Sequence, residues 1–98
     1  MITLENRVKN GVDWLNSVKP FWYREIDLCS MDIEKPDSCV IAQVFGSYTY
    51  IYEKGFIEKE IVDRGFTLGY FYKPEEEYVF LQQEWTKVIS EMRNKDLA

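Results

Sequence analysis

The sequence contains no histidine and only two cysteines, Cys29 and Cys39. Without an imidazole, Ser-His-Asp and Cys-His catalytic arrangements are excluded. Two thiols cannot complete a four-ligand zinc site of the Cys/His type, and one pair does not make a disulfide scaffold. Both cysteines therefore read as small buried hydrophobes, with a bridge left open only for an exported chain. A thiolate nucleophile would need a lowered pKa at a helix start. Cys39 lies near one, but Val40 and Ile41 beside it mark it as core. Glycine and proline are also sparse, at five and three. No phosphate-cradling loop is present, since neither Gly65 nor Gly69 is followed by Lys-Ser/Thr. No apolar run approaches the roughly 20 residues of a membrane-spanning helix. The first ten residues are interrupted by Glu5, Asn6, Arg7 and Lys9, which argues against a secretory signal and leads us to expect a cytoplasmic location.

Charge narrows the partners. Lys and Arg total 12 against 17 Asp and Glu, a net charge of -5. The basic residues are scattered rather than clustered, so direct nucleic-acid binding is not expected. The only acidic triplet, Glu75-Glu76-Glu77, fits a helix start better than a row of phosphate-mimicking carboxylates. Asp27, Asp32, Glu34 and Asp37 share a loop, but the sixth-position Gly and twelfth-position Glu of an EF-hand are missing. No spacing singles out a catalytic carboxylate pair. We expect no catalytic residue, no metal and no cofactor.

Hydrophobic residues make up 46% of the chain and aromatics 16%, enough apolar surface to fold a single domain spanning residues 1–98. Thr3 is a candidate N-cap, and Leu4, Val8, Val12 and Leu15 follow at spacings of four, four and three, one helical stripe. Trp14 and Val18 widen it, Gly11 weakens the helix, and Pro20 ends it. Pro20 can also open a short second helix to about Leu28. Cys29 to Asp37 reads as loop. From a cap at Asp37 or Ser38, the residues Val40, Ile41, Val44, Phe45, Tyr48, Ile51 and Tyr52 recur at three and four, predicting a long central helix. Lys54-Gly55-Phe56 and Arg64-Gly65-Phe66 are two helix stops of the same form, enclosing a helix of two turns around Ile57, Ile61 and Val62. Thr67 to Tyr72 prefers extended conformations. Pro74 and the acidic triplet open a last helix carrying Tyr78, Leu81, Trp85, Val88 and Met92, with Asn94 to Ala98 expected to fray. The expected fold is all-α: a bundle of three main helices plus two short ones, with an extended segment near 67–72.

Three aromatic clusters, Phe21-Trp22-Tyr23, Tyr48-Thr49-Tyr50-Ile51-Tyr52 and Tyr70-Phe71-Tyr72, cannot all turn inward on helices whose neighbours point about 100° apart. Tyr and Trp are enriched in interface hot spots, so Trp22, Tyr23, Tyr50 and Tyr72 are the candidate binding residues.

The run Cys39-Val40-Ile41-Ala42-Gln43-Val44-Phe45-Gly46-Ser47-Tyr48, with Gly55-Phe56, Gly65-Phe66 and Tyr78…Leu81…Trp85, resembles short uncharacterised helical proteins of Gram-positive bacteria and their phages. Pro20-Phe21-Trp22 and Ile26-Asp27-Leu28 fit the same type. The resemblance spans residues 3 to 92 and implies a phage or mobile-element accessory protein that binds a host protein, defence enzymes included. The expected function is a non-enzymatic protein–protein interaction module with a protein partner and no membrane. Two other readings stand beside it: a small-ligand or nucleotide binder using aromatic stacking, with Arg24 or Arg64 holding an anionic group, and a self-assembling structural protein such as a homodimer.

Overall fold

The computed structural model describes residues 3–33, 35, 37–66 and 75–97, so the segment expected to be extended near 67–72, and Tyr72 with it, lies outside the described residues. Among the described residues, five α-helices and one 3-10 turn make up a compact, helical globule: α1 (Leu4–Val18), the 3-10 turn Trp22–Glu25, α2 (Val40–Phe45), α3 (Tyr50–Glu53), α4 (Glu58–Asp63) and α5 (Glu75–Leu97).

Helix α1 forms where its local signals place it. The Thr3 hydroxyl accepts from the Asn6 backbone N–H at 3.1 Å, satisfying one of the donors a helix start leaves open. Val8 and Leu15 are fully buried, and Leu4, Val12 and Trp14 pack against the same core. Val18 does not widen the stripe as expected, being 46% exposed at the helix end. Gly11 has a packing role that helix propensity does not reveal. An added methyl there would lie 2.2 Å from the Arg64 carbonyl oxygen and 2.8 Å from Trp85 Cη2. The missing side chain is what lets α1 lie against the end of α4 and the α5 indole.

The second helix is shorter than expected. Phe21 adopts a left-handed backbone, φ 65°, which costs a non-glycine residue about 1–2 kcal/mol and prevents a helix from running on from Pro20. One 3-10 turn follows instead, and it carries both Trp22 and Tyr23 into the core.

The long central helix is a correction. It is cut in two because Gly46 takes φ 92° and closes α2 by donating to the Ala42 carbonyl at 2.8 Å. The Ser47 hydroxyl oxygen then accepts from the Thr49 N–H at 3.2 Å and the chain restarts as α3. The start also shifts, since Cys39 rather than Asp37 or Ser38 is the N-cap, its sulfur accepting from the Ala42 N–H at 3.5 Å. Two long helices and three short ones thus replace the three main helices expected.

Both glycine stops behave as read. Phe56 N–H donates to the Ile51 carbonyl at 3.2 Å and Gly55 N–H to that of Tyr52 at 3.0 Å. The second stop repeats this with Phe66 to Ile61 at 3.1 Å and Gly65 to Val62 at 3.0 Å. These are two Schellman turns, each with glycine in the left-handed position. Between them, the Glu60 carboxylate caps α4 by accepting from the Ile57 N–H at 3.2 Å.

Along α5, Tyr78, Leu81, Trp85 and Ile89 are buried. The helix continues past Asn94 to Leu97. Its last turns are tied down: Arg93 Nε donates to the Tyr23 carbonyl at 3.1 Å, Arg93 Nη2 donates to that of Ile26, and Asp96 pairs with Arg24 Nε at 2.7 Å. Helix α1 packs on α5 and α4, the 3-10 turn packs on α5 and α2, and α3 packs on α2.

The stretch between Asp27 and Cys39 has no helix or strand among its described residues, yet it buries Met31 and Ile33. Two glutamine side chains hold it. Gln82 accepts from Ile33 N–H at 3.0 Å and donates to the Met31 carbonyl at 2.7 Å. Gln43 accepts from Asp27 N–H at 2.6 Å and donates to the Ser38 carbonyl at 3.0 Å. A buried backbone must pair its polar groups, and these amides supply what a neighbouring strand would.

Candidate interaction surface

The four aromatic residues singled out by sequence do not form one exposed patch. Trp22 is completely buried, its indole N–H donating to Asn16 Oδ1 at 3.0 Å, and its ring meets Trp85 edge-on at 5.9 Å. Tyr23 is only 6% exposed and meets Trp22 at 6.0 Å. The exposure expected for these two is overturned. The left-handed Phe21 turns the chain so that the adjacent Trp22 and Tyr23 both point inward, and Phe21 is the ring left outside. The Tyr23 phenol is pushed above its ordinary pKa chiefly by hydrogen bonding to Asp96. The Asp96 carboxyl is held below its usual range by hydrogen bonds from Tyr23 and Arg24.

Tyr50 is half-buried and already covered. Phe45 stacks on it at 4.0 Å and 3°, and Lys54 Nζ lies 5.2 Å from its ring centre. Similar lids sit elsewhere: Arg24 lies 4.4 Å over Phe21 and Arg64 4.6 Å over Phe56. Rings covered in this way gain cation–π attraction at their own faces and offer less free face for a base. The two arginines proposed to hold an anion are thus engaged, Arg24 with Asp96 at 2.7 Å and Arg64 with Glu60 at 3.6 Å.

Exposed large apolar side chains are spread over several elements, Phe21 at 54% and Ile57 at 61% among them, and two of them are adjacent on α5. Val79 and Phe80, adjacent on α5, are 57% and 58% exposed. They form a ridge between two shallow grooves. One, of 420 Å³, includes Met31 and Ile33 of the glutamine-held loop with Tyr78, Val79 and Gln82. The other, of 220 Å³, includes Leu4, Phe80, Glu84 and Lys87. A sequence signal for this ridge existed. Val79 and Phe80 fall off the Tyr78–Leu81–Trp85 stripe, so helical geometry must turn them outward.

A third groove, of 470 Å³, is lined by Asn10, Asp13, Trp14, Asp63 and Arg64. Its carboxylates are spoken for: Asp13 pairs with Lys9 at 3.4 Å and Asp63 with Lys59 at 2.8 Å.

Both cysteines are free, and Cys29 is exposed rather than buried. Cys39 is buried, and desolvation pushes its thiol above the ordinary value, which opposes the thiolate a nucleophile needs. Among the described residues no group of three or more acidic or cysteine side chains is placed to hold a metal, and no helix is long and apolar enough to cross a membrane. Comparison with protein-family models, curated proteins and solved structures gave no match.

Proposed function

We propose that the protein is a non-enzymatic protein–protein interaction module whose contact surface is the Val79–Phe80 ridge of α5. The observation that carries this reading is the pair itself: two large apolar side chains, both more than half exposed, side by side on the longest helix and flanked by grooves. An aromatic anchor beside concave surface is the common build of an interface hot spot. The partner we propose is a host protein inside the cytoplasm. A second copy of the chain is the competing occupant. Nucleotide stacking is less supported, because Tyr50 and Phe21 already carry Phe45, Lys54 or Arg24 against their rings.

The test is affinity capture from host lysate with the native protein, the double variant Val79→Ser/Phe80→Ser, and Tyr50→Ser. The proposal expects a captured protein that the double variant loses and Tyr50→Ser keeps. Equal capture by the double variant would refute it. Light scattering of the same proteins over a concentration range separates a second copy from a foreign partner.

A further inference from the structure

All three tryptophans of the protein lie on one path of ring contacts. Half-buried Trp14 meets Phe66 edge-on at 6.0 Å, and Phe66 stacks on Trp85 at 5.5 Å and 12°. Trp85 meets Trp22 at 5.9 Å, and Trp22 meets Tyr23 at 6.0 Å. The path runs from the outer face of α1, through the core, to the clasp that joins the 3-10 turn to the end of α5.

The environment of the rings differs along it. Trp85 and Trp22 are fully buried. Their indole N–H groups donate to neutral acceptors, the Gly65 carbonyl at 2.8 Å and the Asn16 side-chain carbonyl at 3.0 Å. An amide oxygen is a poor base and both rings are fully buried, so an oxidised indole there has no ready route to lose its proton. Tyr23, at the far end, has the Asp96 carboxylate acting on its phenol, and Arg24 Nε holds that carboxylate in place at 2.7 Å.

We propose that this path is a one-electron relay that carries oxidising equivalents from the tryptophans to Tyr23. A diffusible one-electron oxidant, of the radical type that takes electrons from indoles, removes one electron from Trp14. Electrons then shift along the chain toward Trp14, from Trp85 to Trp14, from Trp22 to Trp85 and from Tyr23 to Trp22, so that the oxidising equivalent moves inward. In the last step the Tyr23 O–H bond breaks and its proton joins an Asp96 oxygen. The products are the reduced oxidant, three closed-shell tryptophans, a neutral Tyr23 radical and a neutral Asp96. Arg24, left without its anion, is 58% exposed and is solvated by water. The relay spares the buried indoles from oxidation and delivers the radical near the surface.

Pulse radiolysis of the full chain with azide radical tests this directly. The indolyl-radical absorption should decay as the tyrosyl-radical absorption rises, in a first-order phase whose rate does not depend on protein concentration. Tyr23→Phe removes only a hydroxyl and should slow that phase about tenfold or more, equivalent to about 1.4 kcal/mol or more of barrier. Asp96→Asn should slow it as well, while Tyr50→Phe, at the end of a side branch through Phe45, should leave it unchanged. Circular dichroism checks that each variant is folded. The proposal is overturned if the native protein shows no first-order phase. It is equally overturned if folded Tyr23→Phe retains the native rate, or if Tyr50→Phe removes the phase.

Discussion

Replacing Gly11 by alanine sets two physical effects against each other, with opposite signs. Helix propensity alone favours alanine by about 0.8–1 kcal/mol in a helix interior. Packing opposes it. The new methyl would sit 2.2 Å from the Arg64 carbonyl oxygen, 2.8 Å from Trp85 Cη2 and 2.9 Å from Cζ2. Neither neighbour yields easily. The carbonyl belongs to the turn that closes α4, and the indole is anchored by its bond to the Gly65 carbonyl at 2.8 Å. Overpacking a tight core costs typically about 1–3 kcal/mol and at times more, and a clash with fixed backbone belongs at the top of that range. The net expectation is a loss of about 2 kcal/mol. For a domain of this size each kcal/mol moves the melting point by about 4–8 °C, so Tm should fall by roughly 8–16 °C. Thermal melts and urea titrations followed by tryptophan fluorescence read both quantities. Asn6→Ala, on the exposed side of the same helix, is the control and should be neutral or slightly stabilising. If Gly11→Ala melts at or above the native temperature, α1 does not approach α4 as closely as described, and the packing argument fails.

Arg7 is 5% exposed and pairs with Glu77 at 2.9 Å while donating to the Val62 carbonyl at 2.8 Å. Glu77→Gln should cost about 2–4 kcal/mol, slightly under the usual cost of breaking a buried pair because Glu77 is 27% exposed. Arg7→Met/Glu77→Leu should recover most of that loss in urea titrations. The depressed Asp96 carboxyl makes the clasp at the end of α5 acid-labile. Its contribution is complete above the ordinary carboxylate value of 3.8 and is lost as pH falls through the lower folded value. Amide exchange at Arg93 to Asp96 should therefore speed up in acid, and Asp96→Asn should remove the pH dependence. Tyr23 works at the other extreme. Its raised phenol pKa withdraws stability as pH climbs above 10.0. Thiol titration with an aromatic disulfide should find the exposed Cys29 at once and the buried Cys39 only after urea unfolding.

What could be read from the sequence was local. The Thr3 cap and the two Gly-Phe stops each depend on a handful of neighbouring residues, and the structure forms all three as read. Gly11 and Gly46 show where locality ends. Both interrupt strong helical periodicity, yet the helix runs through Gly11 and breaks at Gly46. The difference lies in partners distant in sequence, Arg64 and Trp85 for the first. The contacts at the end of α5 are likewise non-local, made with Tyr23, Arg24 and Ile26. The candidate site failed on direction rather than on residue type. A left-handed Phe21 cannot be foreseen from propensity, and it decides which of three consecutive aromatics faces water. The Val79–Phe80 ridge, by contrast, was legible from helical geometry alone.

The two glutamines that hold the Asp27–Ser38 loop carry no charge at any pH, whereas the opposite end of α5 is fastened by guanidinium and carboxylate groups. The long helix is therefore fastened at its C-terminal end through exposed Arg24, and nearer its start by the Gln82 amide together with the pair Glu77 makes with buried Arg7. Concentrated electrolyte weakens exposed ionic contacts more than a pair with a buried partner and leaves amide hydrogen bonds largely intact. Such conditions should release the C-terminal turns first, while the loop beside the Val79–Phe80 ridge stays seated. The molecule would then loosen from one pole only, with its exposed apolar ridge standing on the pole that holds.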